Sequence, residues 1–153
     1  MRIALGADHA GFPLKDRVRA LLEDAGHTIV GCGTHSTDPV DFPDITSATC
    51  APVLDGRADR AVLVCGTGAG AVMAANKIAG IRCGLGNDVY SAHQSVEHDD
   101  ANALAVGAWL IPPALVPEVL TAFTTAVFDD DEDTIRRVAK LNALDGVRTT
   151  PSA

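Results

Sequence analysis

The chain of 153 residues is 47% hydrophobic and 21% charged, which is typical of a globular protein that buries its core within one domain. Its net charge of −8 argues against nucleic-acid binding, and it means that an anionic substrate would need a local positive site. No apolar run reaches the roughly 20 residues of a membrane helix, and the N-terminus is too short and too soon polar for a signal peptide. We therefore expect a cytoplasmic protein that binds neither nucleic acid nor membranes.

Cysteine usage points to the same compartment. The four cysteines are widely spaced and include no C-x-x-C pair: Cys32, Cys50, Cys65 and Cys83. This spacing argues against a zinc site or a disulfide framework and is typical of a reducing environment.

Apolar strands alternate with amphipathic helices along the chain. Short apolar runs predict five strands, at residues 2–7, 27–32, 61–65, 81–85 and 103–111. Helical spacing and end signals predict six helices, at about residues 13–25, 44–54, 68–78, 86–97, 112–127 and 134–144. Asp44 is the predicted cap of the second helix. The alternation predicts an α/β fold, a parallel sheet with helices on both faces, over residues 1–145, with a loose tail at residues 146–153.

The stretch from Ala61 to Ala71 is the most informative, because a buried strand runs into a glycine-rich turn and a helix follows directly. Gly66, Gly68 and Gly70 would let the backbone approach a ligand closely, and unpaired amides at the helix start favour anions. Cys65 ends the strand beside those amides, where its thiolate would be favoured. Such a thiolate could accept a proton from carbon or act as a nucleophile; the alternative is a small buried cysteine that only packs.

The same turn also fits a second motif. The pattern Gly66-x-Gly68-x-x-Ala71 satisfies the dinucleotide fingerprint, and Asp88 lies at about the distance expected of a ribose-binding acid. The fingerprint is weak by itself, follows the third strand rather than the first, and places Asp88 at a predicted helix start. A nucleotide-binding module is therefore the second hypothesis.

Other polar residues allow two interpretations each. His9, beside Asp8, could contact a ligand or be an ordinary loop histidine. His98 has acidic neighbours that would favour its protonated form, so it could be a proton shuttle or a solvated helix end. Arg136 and Arg137 follow an acidic run and could clamp a phosphate or simply form a charged surface.

Six segments keep the order and spacing of one enzyme family from residue 3 to about residue 110. They are GADHAGF at 6–12, GTHS at 33–36, VDFPD at 40–44, CGTGAG at 65–70, AANKIAGIR at 74–82 and EHDDANALA at 97–105. Together they resemble the type-B ribose 5-phosphate isomerases, which are grouped with the galactose 6-phosphate isomerases. This combination is far more specific than any single glycine pattern.

The resemblance implies a Rossmann-like, single-domain three-layer sandwich that works as a homodimer or homotetramer, with the active site where two subunits meet. It implies an aldose–ketose isomerase, without metal or organic cofactor, in which Cys65 moves a proton between C2 and C1 of an opened sugar through an enediolate. Thr67 and His98 would help to open the sugar ring. Asp8 would bind sugar hydroxyls, and His9 would lie towards the phosphate. Further substrate contacts would come from Gly66, Gly68, Ala69, Gly70, Asp99 and Arg137.

Four departures from the family pattern concern mainly the phosphate end of the site. Phe42 stands where the family usually has tyrosine, Asp99 where it has asparagine, and Trp109 where it has arginine. Near the C-terminus, Asp133 and Thr134 stand where the family has an Arg-His pair. Because a phosphate dianion favours bidentate arginines, we hypothesise an altered substrate: another sugar phosphate, or a sugar that lacks the phosphate.

Overall fold

A five-stranded parallel sheet forms the centre of the computed structural model, which describes residues 1–146. Its strands are β1 (Arg2–Ala7), β2 (Thr28–Gly31), β3 (Arg60–Cys65), β4 (Cys83–Leu85) and β5 (Ala103–Gly107). Their order is β2-β1-β3-β5-β4, with every pairing parallel. The chain leaves β1 towards one edge and β3 towards the other, so a crevice is expected between the carboxyl ends of these two strands. The predicted α/β fold with a parallel sheet is confirmed.

Six helices accompany the sheet. They are α1 (Phe12–Asp24), α2 (Phe42–Leu54), α3 (Ala69–Ala75), α4 (Val89–Glu97), α5 (Val116–Thr125) and α6 (Glu132–Asn142). Successive strand residues face opposite sides of a sheet. Val62 and Val64 therefore join a core with α1, α4 and α5, whereas Ala61 and Leu63 join a second core with α2 and α3. Helices on both faces give the predicted three layers.

Some elements end earlier or begin later than predicted. β5 stops at Gly107 instead of residue 111, because the amides of Leu110 and Ile111 both donate to the Gly107 carbonyl and close a turn. The next helix begins at Val116, after a separate turn that starts at Pro112. β4 and α3 are also shorter than predicted. Local turn hydrogen bonds, which apolar periodicity does not reveal, cause these differences.

The start of α2 corrects the predicted helix cap. α2 begins at Phe42 with Asp41 as its N-cap, and Asp44 lies in the first turn instead of at the cap. Pro43 suits this first turn because it has no amide that would need a partner. The earlier start brings the ring of Phe42 against Gly70.

Within residues 1–146, no helix has the length and apolar character needed to cross a lipid bilayer. All but the first residue of the predicted tail, 146–153, lies outside the described residues. The division into a 1–145 domain and a tail therefore stays a prediction.

Candidate active site

Two strand ends meet at the crevice between β1 and β3. Cys65 is the last residue of β3, and Asp8 follows β1 directly, with its amide donating to the Val64 carbonyl at 3.2 Å. The Asp8 side chain is only 5% exposed, and its Oδ1 accepts a 2.8 Å hydrogen bond from the Gly11 amide. This arrangement holds the carboxylate beside the Cys65 thiol. Two of the predicted site residues therefore interact directly.

The protonation of Cys65 differs from the expectation. Burial raises the pKa of the Cys65 thiol, and the Asp8 carboxylate raises it further through a hydrogen bond and its charge. The amides of Gly68 and Gly66 favour the thiolate but do not outweigh these effects. The expected lowering of the Cys65 pKa is therefore not found in the single chain, because two amides ahead of a seven-residue helix do not offset burial beside a carboxylate.

Close neighbours shape the glycine-rich turn. Gly68 is the N-cap of α3 and has φ +83°, a left-handed conformation that favours glycine. A Cβ on Gly66 would lie 2.9 Å from the ring of Trp109, and a Cβ on Gly70 would lie 3.2 Å from the ring of Phe42. Both rings are partly open to solvent. Two aromatic residues at which the chain departs from its family pattern therefore flank the turn.

The turn is braced at its exposed tip. Thr67 Oγ1 accepts a 3.3 Å hydrogen bond from the Ala69 amide, so that amide is already engaged and is less free for a substrate than predicted. The side-chain amide of Asn87 donates to the Thr67 carbonyl at 3.5 Å and accepts from the Gly107 amide at 2.9 Å. Asn87 was not predicted from the sequence, where its only signal is its place in the polar turn after β4.

His9 is partly buried beside the same crevice. The Val40 amide donates to its Nδ1 at 3.2 Å, so Nδ1 is an acceptor and Nε2 is left for a ligand. The segment that leads to Val40 is held by buried Lys15, which donates to the carbonyls of Cys32 and Thr34 at 2.8 and 2.9 Å. Burial lowers the pKa of Lys15. This lysine, also missed from the sequence, fixes the segment that orients His9.

The remaining predicted residues lie at the opposite end of the strands, the amino end. α4 begins beyond the carboxyl end of β4 and runs back for nine residues, about 13 Å, so its C-cap His98 lies at the amino ends of the strands. The Asp99 carbonyl accepts a 3.2 Å hydrogen bond from Arg82, which directly precedes β4. α6, which carries Arg137, also lies at the amino ends of the strands, because the Asp129 amide ahead of it donates to the last carbonyl of α4.

The predicted site is thus divided within one chain. The thiol half-site, at the carboxyl ends of the strands, comprises Asp8, His9, Cys65, Thr67 and the turn from Gly66 to Gly70. The histidine half-site, at the amino ends of the strands, comprises His98, Asp99 and Arg137. β3 has six residues, so the two ends of the strands lie about 20 Å apart. The two half-sites of one chain therefore cannot act on the same sugar.

The side chains of the histidine half-site are accessible. His98 is half exposed, with Nδ1 3.2 Å from the Gln94 amide nitrogen and Nε2 3.7 Å from the Glu97 carboxylate. Arg137 and Arg136 both pair with Asp133, at 3.4 and 2.6 Å. Such exposed ion pairs contribute little to stability, so a ligand can readily redirect these side chains.

The structure does not place Asp88 as a dinucleotide-binding site would require of its ribose-binding acid. Asp88 is the N-cap of α4, and its two carboxylate oxygens accept hydrogen bonds from the Ser91 amide at 2.8 Å and the Ser91 hydroxyl at 2.6 Å. Asp88 therefore caps a helix, whereas a ribose-binding acid would stand at a strand end.

The cavities at the two half-sites differ greatly in size. A cavity of about 360 Å³ adjoins the histidine half-site, where Arg82, Asp99 and the end of α6 line it. The cavity that Cys65 lines with Asp8 and Phe42 measures about 10 Å³, room for no more than a single water. A substrate at Cys65 would therefore lie over the strand ends, where a second surface is needed to enclose it.

Comparison with known proteins gives a consistent result. A family model described as Ribose/Galactose Isomerase matches residues 3–141. Ribose-5-phosphate isomerase B of Escherichia coli is 35% identical over 144 residues, which cover 94% of this chain and 96% of that protein. D-erythrulose-4-phosphate isomerase of Pectobacterium atrosepticum is 35% identical over 133 residues, covering 84% and 86%. The solved structure of Clostridium thermocellum ribose-5-phosphate isomerase B has a TM-score of 0.90 at 35% identity, covering 94% and 97%.

The fold, the residues at the strand ends and these matches together define the class of protein as a sugar-phosphate isomerase. The chain belongs to the ribose/galactose isomerase family. The resemblance, the fold class and the isomerase assignment drawn from the sequence are therefore confirmed.

Proposed function

We propose that the chain is an aldose–ketose isomerase whose complete site joins the thiol half-site of one subunit to the histidine half-site of another. The observation that carries this proposal is the separation of the two half-sites by the length of the sheet. The family match spans both half-sites, at residues 3–141, which supports a role for each of them. A homodimer is the smallest assembly that satisfies this arrangement, and a tetramer made of two such dimers satisfies it too.

In the assembled site, Cys65 moves the proton between C1 and C2 of the open-chain sugar. The amides of Gly66, Gly68 and Gly70 stabilise the oxygen that becomes negative in the enediolate. Thr67 and the partner subunit's His98 assist ring opening, and Asp8 binds sugar hydroxyls. The bond from the Val40 amide supports a ligand role for His9, because it leaves Nε2 free.

Assembly also accounts for how a high-pKa thiol becomes a base. Burial and Asp8 keep the Cys65 thiol protonated in the single chain. The histidine half-site of a second copy would bring the Arg137 guanidinium towards that thiol when a ligand draws it away from its exposed pair with Asp133, and this cation has to outweigh the Asp99 carboxylate of the same half-site. Nearby positive charge favours the thiolate and lowers the pKa of a cysteine. The base is therefore activated where the substrate is enclosed.

We further propose that the substrate is not gripped as ribose 5-phosphate usually is. Phe42 and Trp109 place uncharged rings beside the turn, and Asp99 adds a carboxylate to the histidine half-site. Asp133 pairs with both Arg136 and Arg137, so the two cations best placed to compensate are partly neutralised. The named relatives act on sugar phosphates of different length, a pentose and a tetrose. Another sugar phosphate, or a sugar without phosphate, is the proposed substrate.

Solvent exchange tests both parts of this proposal. The protein is incubated in deuterated water with four- to six-carbon aldoses and their phosphates, and NMR follows loss of the C2 proton. Cys65→Ala serves as the blank. We expect exchange with at least one sugar, none with Cys65→Ala, and low kcat/KM for ribose 5-phosphate. Ordinary kcat/KM for ribose 5-phosphate would contradict the altered substrate, and absence of exchange across the panel would contradict the proton transfer.

A further inference from the structure

Arg82 makes an unusual set of hydrogen bonds directly before β4. Its Nε donates to the carbonyls of Asp99 and Asp100 at 3.2 and 2.8 Å, and its Nη2 donates to the Asp100 carboxylate at 2.6 Å. Its Nη1 reaches the side-chain oxygen of Asn142 at 3.2 Å. The Arg82 side chain is only 17% exposed, and its two bonds to Asp100 are partly buried.

The turn that Arg82 holds contains a left-handed residue. Asp100 has φ +48°, and within residues 1–146 it is the one non-glycine residue with a positive φ. Aspartate adopts this left-handed conformation more readily than most residues, and hydrogen bonds hold it here. The guanidinium binds the carbonyls of the two peptides that flank the Asp100 Cα, and the Asp100 amide donates to the Val96 carbonyl at 3.0 Å. Arg82 therefore adds to the main-chain bonds that end α4, and it helps to fix the backbone of Asp99 and Asp100 directly after His98.

The bond to Asn142 connects the same guanidinium to α6. Asn142 is the last residue of α6, the helix that carries Arg137. Arg82 thus joins the two segments that supply all three residues of the histidine half-site. A planar guanidinium with five donors can make these contacts together, whereas a lysine ammonium concentrates its donors at one atom.

We propose that Arg82 is a positioning residue that sets the geometry of the histidine half-site for use by a second subunit. The inference rests on the proposed function, because it requires a site shared between subunits. In this role Arg82 acts through the backbone of Asp99 and Asp100 and through α6.

The first test compares Arg82→Lys with Arg57→Lys. Arg57 pairs with Asp55 at the surface, away from both half-sites, and is the matched control. We expect Arg82→Lys to lower kcat by about 10- to 100-fold, the effect of a displacement of about 1 Å, and both variants are assayed well below their Tm because the less exposed Arg82 contributes more to stability than Arg57. Activity equal to that of Arg57→Lys would overturn the inference.

The second test mixes an inactive subunit with an impaired one. Co-expressed Cys65→Ala and Arg82→Lys chains form mixed dimers, in which the intact Cys65 of one chain meets the intact Arg82 and His98 of the other. Random mixing makes about half of the dimers mixed, with one of two sites intact, so activity should recover to about a quarter of wild type. A residue that acted within its own thiol half-site, or only on stability, would give no recovery.

A parallel mixture of Cys65→Ala with His98→Gln separates the two ideas. Recovery in this mixture supports the shared site of the proposed function. Recovery here, without recovery in the Arg82→Lys mixture, overturns only the role of Arg82. No recovery in either mixture overturns the shared site itself.

Discussion

At the scale of single residues, the pairing of Cys65 with Asp8 governs whether a base is available. The carboxylate is held by the Gly11 amide, and it works together with burial to keep the neighbouring thiol protonated. A sugar that binds the Asp8 carboxylate through its hydroxyls would compete for the oxygen that accepts from the thiol. Substrate binding and activation of the base are therefore linked through one side chain.

Replacing Cys65 by alanine should remove turnover and spare the fold. General-base catalysis contributes about 10²- to 10⁴-fold, so kcat should fall at least that far, while the Tm measured by circular dichroism changes little. Cys32→Ala is the matched control, since Cys32 is also a partly buried free cysteine. Most of the activity surviving in Cys65→Ala would exclude Cys65 as the base.

Asp8→Asn should lower the pKa of the Cys65 thiol, because the substitution removes a negative charge that disfavours the thiolate. Iodoacetamide labelling against pH, in a Cys32→Ala background, measures this pKa. The other two cysteines react slowly, because burial raises the pKa of Cys50 to about 11 and that of Cys83 to about 12. The labelling curve should move to lower pH, while exposed Asp16→Asn leaves it in place. An unmoved curve in Asp8→Asn would show that burial alone sets the pKa.

At the scale of elements, the turn between β3 and α3 depends on one left-handed glycine. Gly68 has φ +83°, and a Cβ there would lie 2.7 Å from the Leu85 side chain and 3.3 Å from the Gly107 nitrogen. The turn also carries the amides assigned to the enediolate oxygen. Its stability and its chemistry therefore share the same backbone conformation.

Gly68→Ala should destabilise the protein more than Gly26→Ala. Gly26 has φ +82° with nothing near its Cβ position, so it isolates the backbone cost of about 1–2 kcal/mol. Gly68→Ala adds a steric clash to that cost and should also lower kcat. Urea unfolding of both variants measures the difference. Equal free energies of unfolding would mean that Leu85 moves aside without cost.

The sequence predicted the elements well where apolar patterning alone decides them, as in β1 and β3. It placed Asp8 and Cys65 together at the carboxyl ends of the strands because each lies where a buried apolar run ends. It could not give the pKa of Cys65, which depends on a side-chain contact between two strands. It also missed Asn87, Lys15 and Arg82, whose work is done through backbone carbonyls far away in the chain. The predicted end of β5 was wrong for a similar reason, since hydrogen bonds within a turn end the strand at Gly107.

At the scale of the whole molecule, chain direction determines where functional residues can meet. Each helix between parallel strands returns the chain to the amino ends of the strands. A residue at the C-terminal end of such a helix therefore lies a full strand length away from a residue at the carboxyl end of a strand. The separation of His98 from Cys65 follows from this geometry. The chain's activity should therefore be a property of its assembly.

Specific activity should fall as the protein is diluted below the dissociation constant of its dimer. A single chain offers only one half-site to any sugar, so monomers should be inactive. Turnover measured over a dilution series, beside sedimentation at the same concentrations, checks this expectation. Monomers with full specific activity would contradict the shared site.

Trp109 also makes the site observable. It is the single tryptophan of the chain, it lies against Gly66 beside Cys65, and the residue is 71% exposed. Indole emission shifts to shorter wavelength when water around the ring is replaced by a ligand or by another subunit. The unlabelled protein therefore carries its own fluorophore at the thiol half-site, and stopped-flow fluorescence can time occupation of this surface separately from turnover.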